Sequence, residues 1–295
     1  MKEIVIISGK GGTGKTSLVA SFATLAKGAV LADCDVDAAD LHLVIEPETV
    51  SVHDFSGGKK AQIIQDACTS CGKCVEACRF DAISYIPKDT SGAGIPTINS
   101  IFCEGCGVCR RVCEFDAISM EPWVNGKWYV SNTRCGPMVH ARLGMAEGNS
   151  GKLVSLIRQE AGKIAKQDGH ELVIVDGSPG IGCPVIASIT GADLVVVVTE
   201  PTLSGQHDLG RVAELTSHFG IPTIVCVNKW DINPDITAKI EQGASEKGLR
   251  SVGRVRYDAN ITKAQIAKKS VVEYSSGGVT QDIKSVWTEI TDAVG

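Results

Sequence analysis

Six short runs of apolar, mostly β-branched residues recur along the chain, at residues 3–7, 29–33, 172–176, 194–199, 223–227 and 252–255, with helical segments between them. Runs that are continuously apolar rather than alternating mark strands buried on both faces, the pattern of a parallel sheet covered by helices. The expected fold class is α/β: a mostly parallel, doubly wound sheet whose ligands lie beyond the carboxyl ends of its strands. Between about residue 62 and residue 122 this rhythm stops, and cysteine, glycine and short hairpin-like segments replace it. The expected organisation is a discontinuous domain, residues 1–61 and 123–295, carrying a small α+β insert at 62–122. The insert repeats itself at an offset of 35 residues: Cys68, Cys71, Cys74 and Cys78 return as Cys103, Cys106, Cys109 and Cys113, and FDAIS at 80–84 returns at 115–119. Just beyond it, residues 123–130 (WVNGKWYV) place Asn125 and Gly126 between aromatic positions, which predicts a hairpin with aromatics packed across two strands.

Composition narrows the class. A hydrophobic share of 43% with 21% charged residues fits a soluble folded chain, and a net charge of -5 gives no electrostatic reason to expect nucleic acid. The longest purely aliphatic run, residues 194–198, is far shorter than the roughly 20 residues that cross a bilayer, and the apolar start is too short for a signal peptide. No membrane anchor is expected, and the expected compartment is the cytoplasm. Twelve cysteines in CxxC spacing without an export signal point to metal under reducing conditions rather than to disulfides.

Each cysteine run reads CxxCxxCxxxC, which places three thiolates around one iron–sulfur cube and sends the fourth to the neighbouring cube. The expected ligand sets are Cys68, Cys71, Cys74 and Cys113 for one 4Fe-4S cluster, and Cys103, Cys106, Cys109 and Cys78 for the other. Zinc is the competing reading, but zinc sites pair two separated CxxC units, whereas each run here is continuous and duplicated. The insert resembles the bacterial two-cluster ferredoxins. Those carry proline after the fourth cysteine, where this chain has Arg79 and Glu114. Neither is a ligand, but charge beside a cluster tunes its potential: Arg79 favours the reduced state and Glu114 the oxidised one.

Gly9-Lys10-Gly11-Gly12-Thr13-Gly14-Lys15-Thr16 satisfies GxxxxGK(S/T) between a predicted strand and a predicted helix. Together with Ser17 these residues form the expected phosphate cradle, in which Lys15 neutralises the β and γ phosphates and Thr16 ligates Mg²⁺. The second lysine makes the motif KGGTGKT, and the chain on both sides of the insert resembles the family of MinD, ParA and the nitrogenase iron protein. That resemblance implies ATP as ligand and an ATP-dependent homodimer in which Lys10 reaches the facing subunit's nucleotide. It also implies that Asp35 orients the attacking water, that Asp40 belongs to the first switch, and that Asp176, before Gly177-Ser178-Pro179-Gly180, holds the Mg²⁺ shell. Asn228, in Asn228-Lys229-Trp230-Asp231, is expected over the base. NKxD is associated with guanine in GTPases, but the MinD group carries a similar asparagine and uses ATP, and the other motifs favour ATP.

The remaining cysteines, Cys34, Cys135, Cys183 and Cys226, are expected as small buried residues. Cys183 stands seven residues after Asp176, the offset of a cluster ligand in the nitrogenase iron protein, but the second thiol would fall near Asn149 and Ser150, where there is none. None of the six histidines has metal-ligand spacing. Residues 282–294 carry Ile283, Val286, Trp287, Ile290 and Val294 at helical spacing with one basic residue, Lys284, and are expected to pack in the core rather than to bind lipid. The leading functional expectation is an ATPase whose nucleotide state gates electron transfer or docking of a redox or metalloprotein partner. The alternatives are an iron–sulfur assembly or carrier factor and a MinD/ParA-like positioning ATPase with structural clusters.

Overall fold

The computed structural model describes residues 1–86, 94–144 and 150–295, which form two compact units. The first comprises Met1–His53, Lys127–Leu143 and Ser150–Gly295; the second is Asp54–Gly126 with Gly144–Asn149. Its chain runs β1 (Lys2–Ser8), α1 (Lys15–Ala26), β2 (Val30–Asp33), α2 (Leu41–Ile45) and β3 (Glu48–Phe55) into the second unit. That unit contains β4 (Gly58–Ile63), α3 (Lys73–Ala77), β5 (Ile83–Ile86), β6 (Ile95–Ile98), α4 (Val108–Val112) and β7 (Ile118–Trp123). The first unit resumes with β8 (Gly126–Thr133), β9 (Gly136–Leu143), α5 (Ser150–Asp168), β10 (Leu172–Pro179), α6 (Cys183–Ile189) and β11 (Leu194–Thr199). It ends with α7 (Leu203–His218), β12 (Thr223–Asn228), α8 (Pro234–Glu246), β13 (Arg250–Val255), α9 (Ala259–Ile266), α10 (Val271–Tyr274) and α11 (Gly278–Val294).

All six apolar runs become strands of one nine-stranded sheet of order β13-β12-β11-β1-β10-β2-β9-β8-β3. β1 is flanked in parallel by β10, with Ile4 opposite Ile174, and by β11, with Ile4 opposite Leu194. The α/β fold with a mostly parallel central sheet is therefore the architecture of the first unit. Residues 4–7 have no exposed surface, because the sheet is covered on both faces. Ile4 and Ile6 join Leu18 and Phe22 of α1 and Ile283, Val286 and Ile290 of α11 in one cluster, while Val5 and Ile7 alternate to the opposite face. Each such side chain contributes about 2 kcal/mol by leaving water. The apolar positions of α11 are thus core residues, and Trp287 stacks on Phe22 with ring centroids 5.3 Å apart.

The far side of the sheet departs from expectation. β9 lies parallel to β2, with Leu31 opposite Met138, and β8 and β3 extend the sheet beyond it. Their burial is mixed, so no continuous apolar run announced them. β8 and β9 are joined by only Arg134 and Cys135, a connection short enough only for an antiparallel pair. The predicted hairpin at Asn125-Gly126 does not form. β7 pairs with β4, from Gly58 opposite Trp123 to Ile63 opposite Ile118, and β8 belongs to the large sheet. The Asn125 side chain instead accepts from Gly57 N–H at 2.8 Å and its N–H donates to Phe55 O at 2.9 Å. Trp123 takes the Lys60 ammonium over its ring at 4.5 Å, and Trp128 stacks on His53 at 4.1 Å.

The second unit consists of two antiparallel ribbons, β4–β7 and β5–β6, and the two short helices. It is wider than residues 62–122 because β4 begins at Gly58. The sequence repeat is also a repeat of backbone conformation. Ser70 and Gly105 (φ 58° and 65°), Gly72 and Gly107 (84° and 73°), and Asp81 and Asp116 (51° and 48°) are all left-handed. Cys78 and Cys113, closing α3 and α4, have φ/ψ of -80°/112° and -83°/109°. Ser70, Asp81 and Asp116 adopt this region without being glycine, which non-glycine residues rarely do, so the two halves share a specific backbone path.

Candidate functional site

The turn between β1 and α1 is built to expose N–H groups. Gly14, at the N-cap of α1, is left-handed (φ 88°), and no side chain caps the helix, so its first-turn donors face outward. A Cβ on Gly14 would stand 2.3 Å from Asn228 Nδ2, and one on Gly9 would stand 2.3 Å from Asp208 Cβ; both positions need glycine. Asn228 Nδ2 donates to Thr13 O at 2.7 Å and Lys229 Nζ to Gly12 O at 2.9 Å, so the end of β12 holds the loop from behind. Ser17 Oγ accepts from Gln265 Nε2 at 2.8 Å. The cleft over this turn has a volume of about 710 Å³, and Gly11, Gly12, Thr13, Gly14, Thr16 and Ser17 all line it, with Asp35 and Asp40 opposite.

Inside the cleft, Lys15 is 5% exposed and pairs with Asp176 and, at 3.4 Å, with Asp35. Burial works against its charge, but Asp176 and Asp35 outweigh it and hold the ammonium protonated. Burial pushes the Asp35 carboxyl up, and pushes Asp33, with Asp176 beside it, well above the usual carboxylate range. Lys15 is thus paired with two carboxyls, Asp176 and Asp35, with Asp33 buried behind them. Thr13 Oγ1, Asp33 Oδ2, Asp176 Oδ2 and Asn228 Oδ1 are buried without a hydrogen-bond partner. Orphaned oxygens beside a phosphate cradle are the donor set that Mg²⁺ with its waters takes, so Asp176 fits as a residue that would hold the ion; Thr16 lines the cleft.

Lys10 is held within its own chain. Its Nζ pairs with Glu200 at 2.8 Å and donates to Ser204 Oγ at 2.9 Å, and Lys229 pairs with the same carboxylate at 3.0 Å. Glu200, Lys229 and the buried Asp33 were not singled out from the sequence. Their signal was position: each stands at or just past the carboxyl end of a parallel strand. Asp40 is exposed at the start of α2 and Asp231 Oδ1 accepts the Tyr257 N–H at 2.7 Å.

The eight cysteines of the second unit surround two small cavities of equal size, about 20 Å³ each. Cys78, Cys103, Cys106 and Cys109 line one; Cys68, Cys71, Cys74 and Cys113 line the other. Burial pushes the Cys74 and Cys109 thiols up. Among the described residues, no group of three or more His, Cys, Asp or Glu stands close enough to hold a single metal ion. Cys34, Cys135 and Cys226 are buried, but Cys183 is exposed. It opens α6 directly after the loop that follows β10, exposed while Val185 of the same turn is buried; Asn149, where a second thiol was sought, lies outside the described residues.

A glycine loop between a buried strand and a helix, with its lysine ringed by carboxylates from parallel strand ends, defines a P-loop nucleotide-binding protein. The chain belongs to the CobQ/CobB/MinD/ParA nucleotide-binding domain family, whose model matches residues 4–271. It is a MinD/ParA-like P-loop ATPase by family. It is 33% identical over 296 residues to an uncharacterized protein of Methanocaldococcus jannaschii, MJ0578, covering 99% of this chain and 97% of that one. A second protein of that organism, MJ0579, is 25% identical, covering 93% and 94%. The fold is similar to that of the Pyrococcus furiosus cell division ATPase MinD, with a TM-score of 0.58 and 16% identity over 99% of this chain and 98% of that one. MinD of Pyrococcus horikoshii, solved with Mg-ADP, gives the same TM-score of 0.58 at 16% identity, over 100% and 97%. No helix among the described residues is long and apolar enough to cross a membrane.

Proposed function

We propose that this chain is an ATP-hydrolysing iron–sulfur protein in which nucleotide state gates electron transfer or partner docking. The observation that carries the iron–sulfur part is the division of eight thiols around two equal cavities, each taking three from its own run and one from the other. The four thiolates of a cube bind four different irons, so each set of four need only surround its cavity. The two sets named from the spacing would each hold one 4Fe-4S cluster, which when bound supplies one-electron storage. The insert is then a ferredoxin-like domain, and a reducing, cytoplasmic setting follows from its thiols.

At the nucleotide site, Lys15 would exchange its carboxylate partners for β and γ phosphates, releasing Asp176 toward the Mg²⁺ shell and Asp35 toward the attacking water. Lys10 would leave Glu200 for the nucleotide of a facing subunit, giving an ATP-dependent homodimer. The family match, whose model includes MinD and ParA, supports ATP over GTP. The test is anaerobic purification, iron and acid-labile sulfide analysis, and redox titration by electron paramagnetic resonance with and without ATP. Two clusters whose potential or electron-transfer rate changes with ATP bear the reading out; no iron–sulfur signal after reconstitution sinks it.

The family match taken alone favours a second reading, a positioning ATPase, since the family model includes MinD and ParA and MinD of Aquifex aeolicus has been solved in complex with MinC. Such a role calls for ATP-dependent binding to a membrane or to DNA. Vesicle and DNA co-sedimentation with ATP would reveal it. The burial of the α11 apolar face in the core leaves that helix no free lipid-binding surface.

A further inference from the structure

The two halves of the second unit repeat in backbone but not in surface chemistry. At the 35-residue offset, Asp66, Ala67 and Lys73 become Ile101, Phe102 and Val108, and Val75 and Glu76 become Arg110 and Arg111. Ile101, Phe102 and Val108 are 71%, 57% and 41% exposed. Val108 lines the cavity of Cys78, Cys103, Cys106 and Cys109, at the place where Lys73 lines the other. Arg79 directly follows Cys78, and Arg110 and Arg111 follow Cys109 on α4; all three are exposed, and none is in an ion pair among the described residues. Glu104 also borders this cavity, an opposing charge outnumbered by the three arginines. At the other mouth, Lys73 donates to Glu114 at 2.6 Å, so the two charges cancel, and Glu76 leaves that side negative.

On a chain of net charge -5, three exposed arginines with no ion pair among the described residues and three exposed apolar side chains all lie within two residues of Cys78, Cys103 or Cys109, which line one cavity. Against them stand two opposing charges in the stretches 78–81 and 101–111, Asp81 and Glu104. Apolar centres with arginine at the rim are the composition of protein interfaces, and charge of one sign selects a partner of the other. We infer that the face carrying Arg79, Arg110, Arg111, Ile101, Phe102 and Val108 docks an acidic one-electron redox protein, and that the Lys73–Glu114 mouth does not. This rests on the iron–sulfur reading above. One electron passes between the partner's carrier and the site that Cys78, Cys103, Cys106 and Cys109 would hold; a flavin partner reduced to its neutral semiquinone takes one proton from solvent at N5, and this chain supplies none. The arginines orient the partner, and the apolar residues exclude water over the thiolates.

A flavodoxin, an acidic one-electron flavoprotein, serves as the probe for the full-length, cluster-loaded chain. Binding between the oxidised proteins is measured by calorimetry, and electron transfer from the reduced chain by stopped flow. Both weaken as salt rises from about 50 to about 500 mM, because the attraction is screened. The R79E/R110E/R111E variant loses about tenfold or more in association rate. I101S/F102S, which keeps every charge, weakens binding without changing the salt slope, and K73E leaves both unchanged. No flavodoxin binding, or binding indifferent to salt and to the arginine reversals, overturns the docking face. Iron and sulfide content, measured first, separates the two failures: a chain that takes up no clusters ends the iron–sulfur reading, whereas a loaded chain that ignores the reversals ends only this inference.

Discussion

Lys15 does two jobs at one position. Before nucleotide arrives it is, among the described residues, the ammonium that pairs with Asp176 and Asp35, and its removal takes that counter-charge from buried carboxyls. Breaking a buried pair from one side costs about 3 kcal/mol, so Lys15→Ala is expected to lower the thermal midpoint of the nucleotide-free protein as well as to abolish ATP binding. The pH dependence has a definite sign. Asp33 and Asp35 are already raised by burial, and a carboxyl with a raised folded pKa contributes fully below its unfolded value and loses that contribution as pH rises. Without Lys15 they rise further, so the deficit in midpoint is larger near neutrality than at about pH 5. An equal deficit at both would assign the loss to packing rather than to charge.

His140 titrates in the opposite sense. Burial, with His42 nearby, lowers it from 6.5 to about 4, while its Nε2 lies 2.9 Å from Ser131 Oγ and its ring stacks on Tyr129. A base depressed in the folded state contributes stability above its unfolded value and loses it as pH falls through the folded one. The acid arm of the stability curve between pH 6.5 and 4 therefore flattens in His140→Gln, measured by denaturant titration. The same arm in both proteins would place the titration elsewhere.

Among the elements, the paired left-handed positions of the cysteine repeat make a sharp comparison. Gly105 (φ 65°) lies against β4, where an added Cβ would stand 2.0 Å from Lys59 O, whereas its counterpart Ser70 (φ 58°) already bears a side chain in the same conformation. Gly105→Ala is expected to cost about 2 kcal/mol or more, since the left-handed penalty of 1–2 kcal/mol adds to a backbone clash. Ser70→Gly is expected to be neutral or to gain about 0.5 kcal/mol. Thermal midpoint and iron retained under a chelator read both; equal losses would mean that the halves are not conformational copies.

Elements were legible in the sequence where one signal dominated. Continuous apolar runs marked β1, β2, β10, β11 and β12, the two valines of 252–255 marked β13, and the glycine loop with Lys15 marked the start of α1. β3, β8 and β9 were missed because their burial is mixed, leaving neither a continuous run nor clean alternation. Asn125-Gly126 misled because turn composition is local, whereas the pairing of β7 with β4 joins segments some sixty residues apart. Cys183 was misjudged because a small apolar residue carries no sign of which way the first turn of a helix faces. Glu200 is in plain view at the end of β11, but nothing in the chain links it to Lys10, some 190 residues earlier.

At the scale of the whole molecule, that last contact governs how two chains would meet. In the proposed dimer Lys10 acts across the interface, yet here it is tied to Glu200, which Lys229 also holds and whose carboxyl stays below its usual range despite partial burial because both lysines donate to it. Dimerisation must therefore break the Lys10–Glu200 pair, a half-exposed contact worth at most about 1 kcal/mol, and that cost enters once for each subunit. Glu200→Gln reduces it while keeping a hydrogen-bonding group for Lys229. The expected outcome is dimerisation at a lower ATP concentration in sedimentation velocity, by a factor of a few, since 1.4 kcal/mol is about tenfold in an equilibrium constant. Lys10→Ala, which has no pair to break but also no cation to send across, stays monomeric with ATP while still binding it. If Glu200→Gln needs more ATP than the parent protein, Glu200 belongs to the assembled interface rather than to a latch on the free subunit. If Lys10→Ala dimerises normally, the facing subunit does not use that lysine at all.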